Sequence, residues 1–122
     1  MSHDYRIEIL RNLQGEFEQV DWVELPDHIR DLTGNFSRLE PTIEYPQYLN
    51  IWLGHGYEIT LGFGDEDPYM WNGVLYWQIT DGIETNFFSG EIANGSPRYV
   101  LWELFDQFNE QLKERIENEK GN

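Results

Sequence analysis

Two hydrophobic periods divide this chain. Near the start, Tyr5, Ile9, Leu10, Leu13 and Phe17 recur close to the spacing of a helical turn, and after Ser96 the residues Leu101, Leu104, Phe105, Phe108, Leu112 and Ile116 form a continuous apolar stripe. Between them, from Tyr48 to Phe88, apolar and polar residues alternate, which predicts four short strands joined by glycine turns. The outline is α+β: a four- to five-stranded antiparallel meander packed on one face by an N-terminal helix and a long C-terminal helix.

The first helix is expected over Ser2 to about Gln19, with Ser2 as its cap and Asp4 at the positive end of its dipole. Tyr5, Ile7 and Ile9 also alternate, so a short strand competes, and Gly15 weakens the helix by about 1 kcal/mol relative to alanine. Asp21 to Leu25 reads as a connector. Pro26 then suits the first turn of a short helix carrying Leu25, Ile29 and Leu32 on one face, with Gly34 as its C-terminal cap. Pro41 and Pro46 limit Phe36 to Gln47 to a short edge strand, because proline donates nothing to a ladder.

Alternation also predicts register. A three-residue loop at Gly54-His55-Gly56 pairs Leu53 with Tyr57, Ile51 with Ile59 and Leu49 with Leu61, which gathers the aliphatic residues on one face. A two-residue turn at Asp81-Gly82 would set Ile79 against Glu84. A loop of Thr80-Asp81-Gly82 instead pairs Ile79 with Ile83 and Leu75 with Phe87, and is preferred. The core face then holds Leu49, Ile51, Leu53, Tyr57, Ile59, Leu61, Phe63, Leu75, Trp77, Ile79, Ile83 and Phe87. The opposite face holds Tyr48, Asn50, Trp52, Glu58, Thr60, Tyr76, Gln78, Glu84, Asn86 and Phe88. A long loop, Gly64 to Gly73, separates the middle strands. Ser96 and Pro97 suit the cap and first position of the last helix, and Lys113, Arg115 and Lys120 sit at the favourable end of its dipole.

Composition adds sign to this outline. The 122 residues fit one domain, spanning 1–122, and 16% are aromatic. Eight basic against 23 acidic residues give a formal charge of −15, which disfavours nucleic acid and anionic membrane surfaces and favours basic partners. No lysine or arginine lies between Arg38 and Arg98, an interval that carries nine acids. Cysteine is absent, which removes disulfides, thiolate metal sites and thiol nucleophiles. The N-terminus lacks the basic-then-apolar signature of a secretory signal, and no apolar run approaches the roughly 18 residues of a membrane span, so a cytoplasmic location is expected.

Motifs of chemistry are scarce. His3, His28 and His55 have no helical ligand spacing, and HExxH, GxxxxGK[ST] and GxSxG are all absent. Asp65-Glu66-Asp67 invites a calcium reading, but the following PYMWNG lacks the later oxygen ligands. Glu58 and Glu84 are the regularly placed carboxylates on the outer face, though nothing selects them as a catalytic pair. No catalytic, cofactor-binding or metal-binding residues are assigned.

Surface is the stronger signal. Trp52 and Tyr76 on the outer face, with Tyr69 and Trp71 in the long loop, suit buried anchors of an interface; Glu58, Asp65, Glu66, Asp67 and Glu84 suit pairing with lysine or arginine. The same face would be buried if the N-terminal residues or the short helix folded over it. In size, charge, lack of cysteine, α+β outline and aromatic-plus-acidic loops the chain resembles the small immunity proteins that neutralise toxin domains in bacterial competition. That resemblance implies a non-enzymatic inhibitor of a basic toxin such as a nuclease, and it carries over no individual residue. Two alternatives stay open: a secretion or assembly chaperone, and a small-molecule or sugar-binding domain using Trp52 and Tyr76 as stacking platforms. Mimicry of DNA by carboxylates is a variant of the first reading.

Overall fold

A computed structural model describes residues 5–33, 40–44, 48–54, 57–63, 73–80 and 87–120. The alternating stretch becomes an antiparallel meander of β1 (Glu40–Glu44), β2 (Tyr48–Gly54), β3 (Tyr57–Gly62), β4 (Val74–Thr80) and β5 (Phe87–Ala93), in spatial order 1-2-3-4-5. Helices α1 (Tyr5–Glu18), α2 (Asp27–Thr33) and α3 (Pro97–Lys120) complete it, with a single 3-10 turn at Trp22–Glu24 inside the connector. Helix, not strand, wins at Tyr5 to Ile9, because that period buries Leu10, Leu13 and Phe17 together. Ser2, Asp4 and Gly34, expected as cap, dipole partner and cap, lie outside the described residues. Pro26 stands one residue ahead of α2, and its carbonyl accepts from the Ile29 and Arg30 amides at 2.9 Å. β1 is an edge strand, as Pro41 requires.

The core lies on one side of the sheet. Leu49, Ile51, Leu53, Ile59, Leu61, Leu75, Trp77 and Ile79 are buried there, and α3 lays Leu101, Leu104, Phe105, Phe108 and Leu112 against them. Ser96 caps α3 by accepting the Tyr99 amide on Oγ at 3.2 Å. Aromatic contacts join the layers. Phe105 meets Phe17 of α1 edge-on with 5.8 Å between centroids, and Phe108 lies 6.3 Å from Trp77 and 5.3 Å from Phe88. Each such pair contributes roughly 0.5–1.5 kcal/mol beyond area burial.

The β2–β3 register matches expectation over Leu49↔Leu61 and Ile51↔Ile59, but at the turn Gly54, not Leu53, stands opposite Tyr57. A bulge between Trp52 and Gly54 takes up the extra residue. His55 and Gly56 lie outside the described residues.

The β4–β5 register differs from expectation by five residues. Ile79 pairs with Phe88 and Leu75 with Ile92, so residues 81–86 connect the strands and lie outside the described residues, Ile83 and Glu84 among them. An odd shift reverses faces. Phe88, expected outside, is 2% exposed in the core, and Phe87, expected opposite Leu75, is the register partner of Thr80.

Trp77 explains the choice. Its register partner is Gly90, and a Cβ there would lie 2.5 Å from the indole Nε1, 2.9 Å from Cε2 and closer still to Gln107 Oε1. The indole donates to Gln107 Oε1 at 2.8 Å, while Gln107 Nε2 donates to the Glu91 carbonyl at 2.9 Å and to Glu103 Oε1 at 3.2 Å. The expected register would set Thr85 opposite Trp77 and fill the space the indole occupies.

The two glycines Gly15 and Gly90 therefore respond oppositely to the same change. A Cβ at Gly15, in mid-helix, meets nothing within 4 Å, so Gly15→Ala raises unfolding free energy by about 0.5–1 kcal/mol. Gly90→Ala lowers it by about 1–3 kcal/mol, because the rigid indole is held by Phe108 and cannot retreat. Gln107→Leu lowers it by about 1–3 kcal/mol through the orphaned indole donor. Urea midpoints of the three variants check all three signs.

Candidate functional site

Cross-strand register arranges the other face of the sheet in three rows. Tyr48, Gly62, Tyr76 and Glu91 form one across β2 to β5; Thr42, Asn50, Thr60, Gln78 and Ser89 form the middle one across all five strands; Trp52, Glu58 and Thr80 form the third across β2 to β4. The middle row is a polar seam in which Thr60 Oγ1 donates to Asn50 Oδ1 at 3.1 Å. Aromatic groups flank it on both sides.

No described element covers this face. α1 packs against α3, β1 and β2, and α2 against α3 and β2, and their buried residues Leu10, Leu13, Phe17 and Ile29 are all members of the core on the opposite side. Trp52 is accordingly 53% exposed and Tyr48 36%, while Tyr76 and Glu58 are half-buried and Glu91 is exposed. Of the expected alternative, α1 and the short helix α2 lie on the opposite side, and N-terminal residues 1–4 lie outside the described residues.

The structure brings part of the expected set onto one face. Trp52 and Glu58 are direct register partners on β2 and β3, which places their Cβ atoms roughly 4.5–5.5 Å apart. Tyr76 shares their face in the row on the far side of the polar seam. Asp65, Glu66, Asp67, Tyr69, Trp71 and Glu84 lie outside the described residues. Glu91 joins the face through the β4–β5 register, and only the correct register would have found it. Among the described residues this face holds no lysine, arginine or histidine. Also among the described residues, no group of three His, Cys, Asp or Glu side chains is placed to hold a metal ion.

Side-chain amides bind backbone groups on both edges of the sheet. On β5, Gln111 accepts the Ser89 amide on Oε1 at 3.3 Å and donates from Nε2 to the Ser89 carbonyl at 2.7 Å, pairing with that residue as a neighbouring strand would. Gln107 takes the next outward carbonyl, that of Glu91. On β1, Gln14 of α1 donates to the Pro41 carbonyl at 3.1 Å, and Pro41 itself has no amide hydrogen to offer. Nothing in the sequence pattern flagged these glutamines, which sit on helices beside the apolar stripe.

The face assignments predict a contrast between two aromatic residues. Trp52→Thr changes unfolding free energy by less than about 0.5 kcal/mol, as a surface substitution with good strand propensity does. Phe88→Ala lowers it by about 3–5 kcal/mol. Equal effects in a urea titration would contradict the register. Comparison with family models, with curated proteins and with solved structures yields no match to this chain.

Proposed function

We propose that this chain is a non-catalytic protein-binding module, an immunity-type protein that binds and neutralises a basic toxin domain such as a nuclease. One observation carries the proposal: a sheet face that no described element covers, which combines Tyr48, Trp52 and Tyr76 with Glu58 and Glu91 and, among its described residues, bears no cation. A nuclease must present a basic cleft to its polyanionic substrate. An acidic, aromatic face complementary to such a cleft competes with the substrate for it, and the chain's formal charge of −15 steers the encounter. A cytoplasmic site of action goes with this role.

Size sets a condition on the interface. Five strands at about 4.8 Å spacing and five residues at about 3.4 Å rise give a face of roughly 400 Å². A standard interface takes about 800 Å² from each partner. The remainder has to come from residues beyond the face. Asp65, Glu66 and Asp67 with Tyr69 and Trp71, and Glu84, supply the acids and aromatics of the right kind.

Capture of the partner from the native cell on the immobilised chain, followed by mass spectrometry and binding kinetics with the purified partner, tests the proposal. The partner is expected to be basic, to lose its activity on binding, and to associate more slowly as salt rises. Replacing Asp65, Glu66 and Asp67 by Asn, Gln and Asn slows association by about tenfold at low salt and flattens its salt dependence. A partner without excess positive charge, or association indifferent to salt, refutes it.

A further inference from the structure

The exposed face and the edge groups already bound by side-chain amides bear on how a basic partner would engage. Proteins that recruit an extended segment usually do so by adding it as a strand to a free edge. Here the outward amide and carbonyl of Ser89 are held by Gln111, the Glu91 carbonyl by Gln107, and the Pro41 carbonyl by Gln14. A strand added along β5 at Ser89 and Glu91, or on β1 at Pro41, would have to displace these amides first. Recognition is left to side chains on the face.

Within that face one pair is built for a cation. Trp52 is more exposed than Tyr48 or Tyr76 on the same face, and Glu58 stands directly across from it on β3. An indole face attracts a guanidinium or ammonium through its quadrupole, and an adjacent carboxylate adds a charge-assisted hydrogen bond. The molecule already uses the first of these contacts internally, with the Arg115 guanidinium 4.1 Å from the centroid of the Phe88 ring. A second copy of this chain is a poor occupant, because Glu58 and Glu91 would meet their own kind.

We infer that the basic partner docks face-on upon the open side of the sheet, and that Trp52 with Glu58 forms the pocket for one of its arginine or lysine side chains. This deepens the reading above and rests on it.

A hexa-arginine peptide and its uncharged citrulline counterpart serve as probes, titrated into the isotope-labelled full chain at an ionic strength near 0.01 M, where the Debye length is about 30 Å. The expected result is movement of the Trp52 indole signal (assigned from Trp52→Phe) and of the Trp52 and Glu58 amides with the arginine peptide alone. Trp52→Ala and Glu58→Gln each weaken that binding by about two- to fivefold. The double variant loses less than the product of the two, because one cation touches both groups. Circular dichroism of each variant confirms that the fold is kept. Binding that maps instead to the exposed acids of α3, such as Asp106, Glu110 and Glu114, with Trp52 unmoved, overturns the face-on pocket while leaving the preference for basic partners standing. No binding of the arginine peptide overturns both.

Discussion

Everything in this fold converges on the indole of Trp77. It points into the core from the fourth strand, needs an acceptor for its one polar hydrogen, and is too large to share its cross-strand position with any side chain. Gly90 provides the space and Gln107 the acceptor. Because Gln107 also holds the Glu91 carbonyl, the hydrogen bond that satisfies the indole simultaneously fixes α3 along the edge of β5. Strand register, helix placement and edge protection are thus consequences of one buried polar group being fully partnered. The outer face inherits its composition from the same choice, since the register that buries Phe88 also brings Glu91 beside Tyr76.

How much of this the sequence reveals depends on whether a pattern is local. The amphipathic stripe of α3, its Ser96-Pro97 start and the two faces of β2 and β3 are written as unbroken periodicities, and the structure keeps them. β5 is different. Its inward positions are Phe88, Gly90 and Ile92, and the glycine empties the middle of the alternation. Ile83 and Phe87 offer a more regular pattern nearby. The deciding term is steric and non-local: Trp77, thirteen residues earlier, requires that gap. The bulge near Leu53 has the same character, since apolar alternation is silent about one residue at a hairpin end.

The candidate site divides along similar lines. Trp52, Glu58 and Tyr76 share a face because period two places them there, and that much is visible in the sequence. Whether the face is open depends on which side α1 chooses. A stripe of Leu10, Leu13 and Phe17 fits either side of a sheet, and the contact between Phe17 and Phe105 places α1 beside α3. The glutamines that close the edges are invisible to pattern. A glutamine on a helix looks like solvent decoration until the strand beneath it is known.

The packing of α3 also sets a schedule for the chain as it is made. The strands pair with their sequence neighbours and can form in order of synthesis, but the helix that covers them comes last. At about 5–20 residues per second, the 24 residues of α3 take roughly 1–5 s to appear after β5 is complete. During that interval the aliphatic side of the meander lacks the part of its cover that α3 supplies, and the β5 edge lacks the amides of Gln107 and Gln111. A nascent chain in this state is open to pairing with another such chain at Ser89 and Glu91, which the finished molecule binds with its own amides.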